Sequence, residues 1–199
     1  MNLFAQIESI LPDLKGWCPP EKAQALAAMV VAMRPEMVVE IGVWTGTSLI
    51  PMALALKQNK SGTIWGIDPW STQASVEGQV NPADQKFWSD ATMHEVEFNR
   101  FMGNLDKYDL HDVVRIARKR SNDVVPPEKI GLLHIDGNHG PQAIMDVRRF
   151  APKVVFGGLV VMDDLGWGGG FVGEAADVLK NMGYKQLYYL GTGAVYQRI

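Results

Sequence analysis

The stretch VVEIGVWTGTS, residues 38–48, decides the fold. It opens with β-branched residues, reaches an acid at Glu40 and turns at Gly42, and a helical pattern, TSLIPMALALK (47–57), follows at once. A strand, a glycine turn and a helix in that order are the first half of a βαβ unit. Gly42 allows a tight turn, and Gly46 allows close approach of backbone to a ligand. The helix after Gly46 aims free N–H groups at an anionic ligand group. The dinucleotide fingerprint G-x-G-x-x-G is not met, because its second glycine position holds Trp44. A smaller anion such as a carboxylate therefore suits this turn better than a pyrophosphate.

The same grammar repeats along the chain. GTIWGID (62–68), DVVRIAR (112–118), IGLLHID (130–136) and GGLVVMDD (157–164) read as further strands. Helical patterns cover 2–11, 20–33, 85–102, about 141–149 and 173–183, and the Pro/Ser/Gly/Asn-rich segment 69–84 reads as a loop. The tail YKQLYYLGTGAVYQRI reads as a two-stranded hairpin. Fully apolar strands alternating with helices predict an α/β, Rossmann-like, mostly parallel sheet of about seven strands, with helices on both faces and a C-terminal antiparallel hairpin. The expected organisation is one domain over 1–199, with N-terminal helices in 1–35 and an insert at 69–104 in the core 36–199.

The 199 residues are 47% hydrophobic and 21% charged, as in an ordinary globular protein. A net charge of −3 offers no basic face, so no nucleic-acid partner is expected. The single cysteine, Cys18, excludes an internal disulfide and a cysteine-based metal cluster. With no signal-like start, the cytoplasm is the expected compartment. The apolar run AQALAAMVVAM (23–33) is too short to cross a bilayer and reads as a buried helix, so no membrane partner is expected. A homo-oligomer is left open.

In open sheets of this kind, ligands bind beyond the carboxyl ends of the strands. Four strands end there in an acid: Glu40, Asp68, Asp136 and the pair Asp163–Asp164. Asp68, at the end of the second strand, lies 22 residues past Gly46, and a carboxylate there can accept both hydroxyls of a ribose. Glycine turn and acid together favour an adenosine-type ligand. Asp136, Asp163 and Asp164 sit at the ends of strands expected to be neighbours, about 5 Å apart. Like charges that close repel, and a hard divalent cation such as Mg²⁺, Mn²⁺ or Ca²⁺ would relieve them. The competing reading is that Asp163–Asp164 caps a strand end or the next helix. His139 follows Asp136 by three residues, after the bend at Gly137, and can reach a hydroxyl at the same edge as its general base. His134 lies inside the strand and reads as a hydrogen-bonded core residue. GWGGG (166–170) reads either as a flap carrying Trp167 or as an ordinary loop, and Trp70 either as an adenosine neighbour or as a packing residue.

Residues 37–68 look like motifs I and II of class I S-adenosylmethionine-dependent methyltransferases. HIDGNHGPQAIMDVRRFAPKVVFGGLVVMDDL (134–165) resembles their IDG-x-H subgroup, which includes the macrocin O-methyltransferase type and, more distantly, catechol O-methyltransferases. The likeness spans about residues 36–180. It implies that Glu40, Gly42 and Gly46 hold the methionine end of S-adenosylmethionine, that Asp68 holds the ribose, and that Ser121 lies near the adenine. It also implies His139 as base. The expectation is a divalent-metal-assisted O-methyltransferase, with Mg²⁺ or a similar ion on Asp136, Asp163 and Asp164, acting on a small-molecule hydroxyl. Two alternatives stand beside it. One is a cephalosporin hydroxylase-like enzyme on the same fold; the other is a non-catalytic cofactor- or metal-binding module. Walls built from residues 1–35, 69–104 and 166–171 would choose the acceptor.

Overall fold

The computed structural model describes residues 2–78 and 81–199. Two helices lead, α1 (Leu3–Leu14) and α2 (Pro20–Met33). Alternation follows: β1 (Met37–Ile41), α3 (Leu49–Asn59), β2 (Thr63–Ile67), α4 (Thr72–Val76), α5 (Pro82–Trp88), α6 (Ala91–Lys107) and β3 (Val114–Ala117). The second half holds β4 (Ile130–Ile135), α7 (Gln142–Phe150), β5 (Val154–Met162), α8 (Phe171–Asn181), β6 (Tyr184–Leu190) and β7 (Gly193–Arg198).

The insert departs from its sequence reading. Segment 69–84 carries α4 and the start of α5 instead of continuous loop, and the expected helix 85–102 is broken at Ser89–Asp90. The break has a local cause. The Asp90 carboxylate accepts from the backbone N–H groups of Thr92 and Met93, capping α6, and the Asn81 side chain caps α5 through Ala83 N–H. β5 starts at Val154, earlier than the expected 157, because its pairing with β4 absorbs an irregularity between Ile130 and Leu132.

The seven-stranded sheet has the order β3-β2-β1-β4-β5-β7-β6. β1 to β5 pair in parallel, and β7 runs antiparallel to both β5 and β6. Period-two alternation divides the apolar strands between two cores. Val38, Leu132 and Val161 pack with α1, α2, α3 and α6, whereas Val39, Leu133 and Val160 pack with α7 and α8. Burial on both faces is why these strands read as unbroken apolar runs.

The carboxyl edge is held in register by one ladder. Asp68 N–H donates to Ala117 O, Gly42 N–H to Ile67 O, Asp136 N–H to Ile41 O, and Asp163 N–H to Ile135 O, at 2.8–3.2 Å. Each residue that leaves a strand is thus tied to the last carbonyl of its neighbour. Chain direction across the sheet reverses between β1 and β4, the switch point at which ligands enter such folds. Gly42 stands at that point with φ +88°, and a Cβ there would lie 2.1 Å from the Asp136 carbonyl oxygen. Gly42→Ala is expected to cost about 3 kcal/mol or more, by combined strain and clash. Urea denaturation of the purified variant measures this, and an unchanged midpoint would show that the turn is not pinned.

Candidate active site

A cavity of about 1040 Å³ opens over the carboxyl edge. Small-molecule pockets run to roughly 1,000 Å³, so this cavity stands at the upper end of that range. Its walls come from the glycine turn, the ends of β2, β4 and β5, the 74–88 segment, residues Trp17–Lys22 and Trp167. These are the three regions named from sequence as walls, joined to the strand ends.

The acids divide into two groups. Asp163 points inward and is buried. Its Oδ2 accepts from the Lys22 ammonium, and its Oδ1 accepts from Thr192 Oγ1 at 2.9 Å and from Asp164 N–H at 2.8 Å. His134 Nε2 stands 3.9 Å from Oδ2, at ion-pair distance, while Nδ1 lies 2.7 Å from Glu40 Oε1. Ser48 Oγ also donates to Glu40 Oε1, and Glu40 Oε2 is buried without a partner. A buried chain Ser48–Glu40–His134–Asp163–Lys22 therefore runs beneath the cavity. Burial works to lower the pKa of His134, but the carboxylates of Asp163 and Glu40 override it and raise it to about 10. Burial likewise works to raise Asp163, yet His134 and Lys22 hold it well below the usual carboxylate range.

Asp164 faces the other way. It adopts φ +51°, a left-handed conformation that aspartate tolerates, and this turns its side chain into the cavity. Its Oδ2 lies 3.2 Å from His139 Nε2, off the line of a good hydrogen bond. That imidazole holds the Asp164 carboxyl below its ordinary value. Asp136, half-buried, belongs to both groups: one ligand atom each of His134, Asp136 and Asp163, and of Asp136, His139 and Asp164, lie within 4.8 Å of one another. Burial first, then Asp163, pushes its pKa well above the ordinary value, and no hydrogen-bond partner for its carboxylate occurs among the described residues.

The expected metal triad was Asp136, Asp163 and Asp164; the structure pairs Asp163 with Lys22 and Thr192 and brings Asp136 and Asp164 together with His139. Both oxygens of Asp163 accept hydrogen bonds, and its charge is met by Lys22 and by the His134 imidazole, whose pKa is raised to about 10. The outer set does fit a divalent cation: Asp136 and Asp164 offer oxygen, His139 offers nitrogen, and two carboxylates stand against one imidazole.

The expected cofactor residues are also placed. Gly42 lines the cavity, and Gly46 lies just behind, where its absent Cβ leaves room for Phe101. Ser121 lines the far end, where its Oγ donates to Asp146 Oδ1 at 2.6 Å; burial raises that carboxyl to about 6. Asp68 and Glu40 do not reach the cavity wall. Asp68 accepts from Val43 and Trp44 N–H, both 2.9 Å, and from Trp70 N–H at 2.7 Å. A carboxylate has about four lone-pair positions, and three of those on Asp68 hold the glycine turn. Trp70 is buried, with its Nε1–H on Trp44 O at 2.9 Å, which makes it a support of the same turn. Lys22 and Thr192 were missed from sequence. Each lies in an unremarkable helix or hairpin pattern, and only the folded chain brings them to Asp163.

A methyltransferase-domain family model matches residues 39–165. No curated protein matches by sequence. Among solved structures, the O-methyltransferase NovP is similar at TM-score 0.69 and 21% identity, over 96% of this chain and 88% of that one. The O-methyltransferase TomG from Streptomyces achromogenes, involved in tomaymycin synthesis and solved with S-adenosylmethionine, aligns at TM-score 0.64 and 15% identity, over 100% and 90%. The Bacillus cereus O-methyltransferase solved with S-adenosylhomocysteine aligns at 0.65 and 12%, over 98% and 89%. At these identities the likeness is one of fold.

The raised pKa of His134 fixes a stability window. Its contribution is complete below the unfolded value of 6.5 and is lost as pH climbs through about 10. His134→Gln is expected to destabilise by about 3 kcal/mol near neutral pH, the scale for breaking a buried pair. The gap from the parent should narrow toward high pH. Urea midpoints of both proteins across that range check it, and a gap independent of pH would show that His134 is neutral in the fold.

Proposed function

The chain belongs to the methyltransferase family whose model spans residues 39–165, and from that membership we propose that it moves the methyl group of S-adenosylmethionine to a hydroxyl oxygen of a small molecule. The observation that carries the reading is the meeting of Asp136, His139 and Asp164 beside the Gly42 turn, in one cavity. We take residues 1–199 as one working domain, since Lys22 of the N-terminal helices completes the buried chain under the site.

The donor's methionine end would lie along the Gly42–Ser48 turn, and its adenine toward Ser121. Glu40 and Asp68 would act from behind: Asp68 fixes the turn through three N–H groups, and Glu40 fixes Ser48 and His134. Asp136, desolvated and unpartnered, faces the region where the positive sulfonium would sit, and attraction to that charge needs no further group. Asp164, 3.2 Å from Nε2, would draw on that nitrogen as the imidazole gains charge, leaving Nδ1 for the acceptor. His139 would take the hydroxyl proton, and the bound donor would supply the methyl carbon for the oxygen, its carbon–sulfur electron pair leaving with sulfur. The sulfonium is already activated, so orientation of the two substrates supplies most of the remaining help.

A second reading is favoured by the excess of acid in the outer set. Asp136, His139 and Asp164 would hold a Mg²⁺-like ion, whose chemistry there is to lower the pKa of a bound hydroxyl. The two readings differ in what His139 does. With His139 as base, His139→Gln should lower kcat about 100-fold, remove the rising limb of the pH profile and leave donor affinity unchanged. Turnover should persist in excess EDTA. With His139 as ligand, chelation abolishes turnover and the glutamine variant loses metal. Near-parental turnover by His139→Gln, in the presence or absence of metal, would contradict both.

A further inference from the structure

We infer that the acceptor is a planar aromatic hydroxyl compound, held against a wall of four rings formed by Trp17, Trp44, Phe87 and Trp88. The inference rests on the methyltransfer reading of this cavity and names the substrate class. The rings come from three distant segments: the link between α1 and α2, the glycine turn, and the last turn of α5. Their centroids lie close together, with Trp17 nearly parallel to Trp44 at 6.1 Å, Trp88 edge-on to Trp44 at 4.9 Å, and Phe87 edge-on to Trp88 at 5.0 Å. All four line the cavity that also holds Asp136, His139 and Asp164.

Trp44 anchors the wall on the core, and the outer rings open to solvent. Trp17 is 64% exposed and Phe87 43% exposed, whereas the neighbouring cluster of Trp70 on Phe101 is covered, with Trp70 only 3% exposed. The wall is not loose. Trp44 holds φ +49°, pinned by its N–H on Asp68 and by Trp70 Nε1–H on its carbonyl. His94 Nε2 sits 2.9 Å from the Trp88 carbonyl and fixes that residue from behind. Exposed ring surface on this anchored base favours a flat apolar ligand, because aromatic pairs gain from offset or edge-on contact beyond simple burial. Trp167, 49% exposed and 5.8 Å from the His139 ring, adds an indole at the hydroxyl end. A pyranose also stacks on indole, but its many hydroxyls need polar partners beside the rings. From α5 and residues 17–19 the cavity receives a single carboxylate, Asp84, among apolar and aromatic groups.

Binding, not turnover, tests this, because a phenolic hydroxyl with pKa about 10 is more acidic than an aliphatic one and would react faster in any pocket. The probes are 2,3-dihydroxynaphthalene, its saturated counterpart decahydronaphthalene-2,3-diol, and methyl glucoside. Each is titrated calorimetrically into protein saturated with S-adenosylhomocysteine. The arene should bind about 10-fold or more tightly than the saturated diol, with the sugar weaker still. Trp17→Ala, at an exposed position, should weaken arene binding about 10-fold and Trp17→Phe should recover most of it, with S-adenosylhomocysteine affinity unchanged in both. Equal or tighter binding of the saturated diol or the sugar overturns the inference, as does arene affinity that ignores Trp17→Ala. If S-adenosylhomocysteine itself fails to bind, the donor reading falls, and the same ranking measured on the protein alone still decides the aromatic wall.

Discussion

Asp163 sits buried between the Lys22 ammonium and the His134 imidazolium, and the arrangement of the cavity depends on that pairing. A carboxylate without those partners could not stay charged at this depth. The pairing ties α2 to β5 and, through His134 and Glu40, β5 to β4 and β1. It also sets the direction of the next residue. With Asp163 turned inward and engaged by Thr192, Asp164 is left to face the cavity beside His139. The outer group faces the cavity while the inner group balances its own charges.

The second constraint is backbone geometry at the switch point. Gly42 has no space for a side chain against Asp136, and Asp68 gathers the N–H groups of Val43 and Trp44 to keep the turn in shape. The ladder of strand-end hydrogen bonds then holds the acids in one row. Asp136 stands half-buried beside Asp163, and no hydrogen-bond partner for its carboxylate occurs among the described residues.

Much of the fold was legible because its signals are local. The apolar runs ending in Glu40, Asp68, Asp136 and Asp163 marked parallel strands and their active edge, and the C-terminal hairpin was readable from its turn. The insert was read less well, since the caps at Asn81 and Asp90 are single-residue signals inside a polar segment. At the candidate site, sequence showed which strand ends carry acids but not the side-chain directions. Adjacent Asp163 and Asp164 look equivalent on paper, and only a left-handed Asp164 and a lysine 141 residues away separate them. Asp68 also holds the glycine turn through three backbone N–H groups, a local contact that spacing does not reveal. The aromatic wall was invisible for the same reason as Lys22: its members are distant in sequence and meet only through tertiary packing.

The central claim is that the Gly42 turn and the Asp136–His139–Asp164 group form the two ends of one methyl-transfer site. A crystal structure of the protein grown with S-adenosylhomocysteine tests it most directly. The account predicts the homocysteine portion along residues 42–48, the adenine near Ser121, and the sulfur facing Asp136 and His139 across the cavity. A ligand bound with its sulfur turned away from those residues, or a cavity left without it at saturating concentration, would contradict the account.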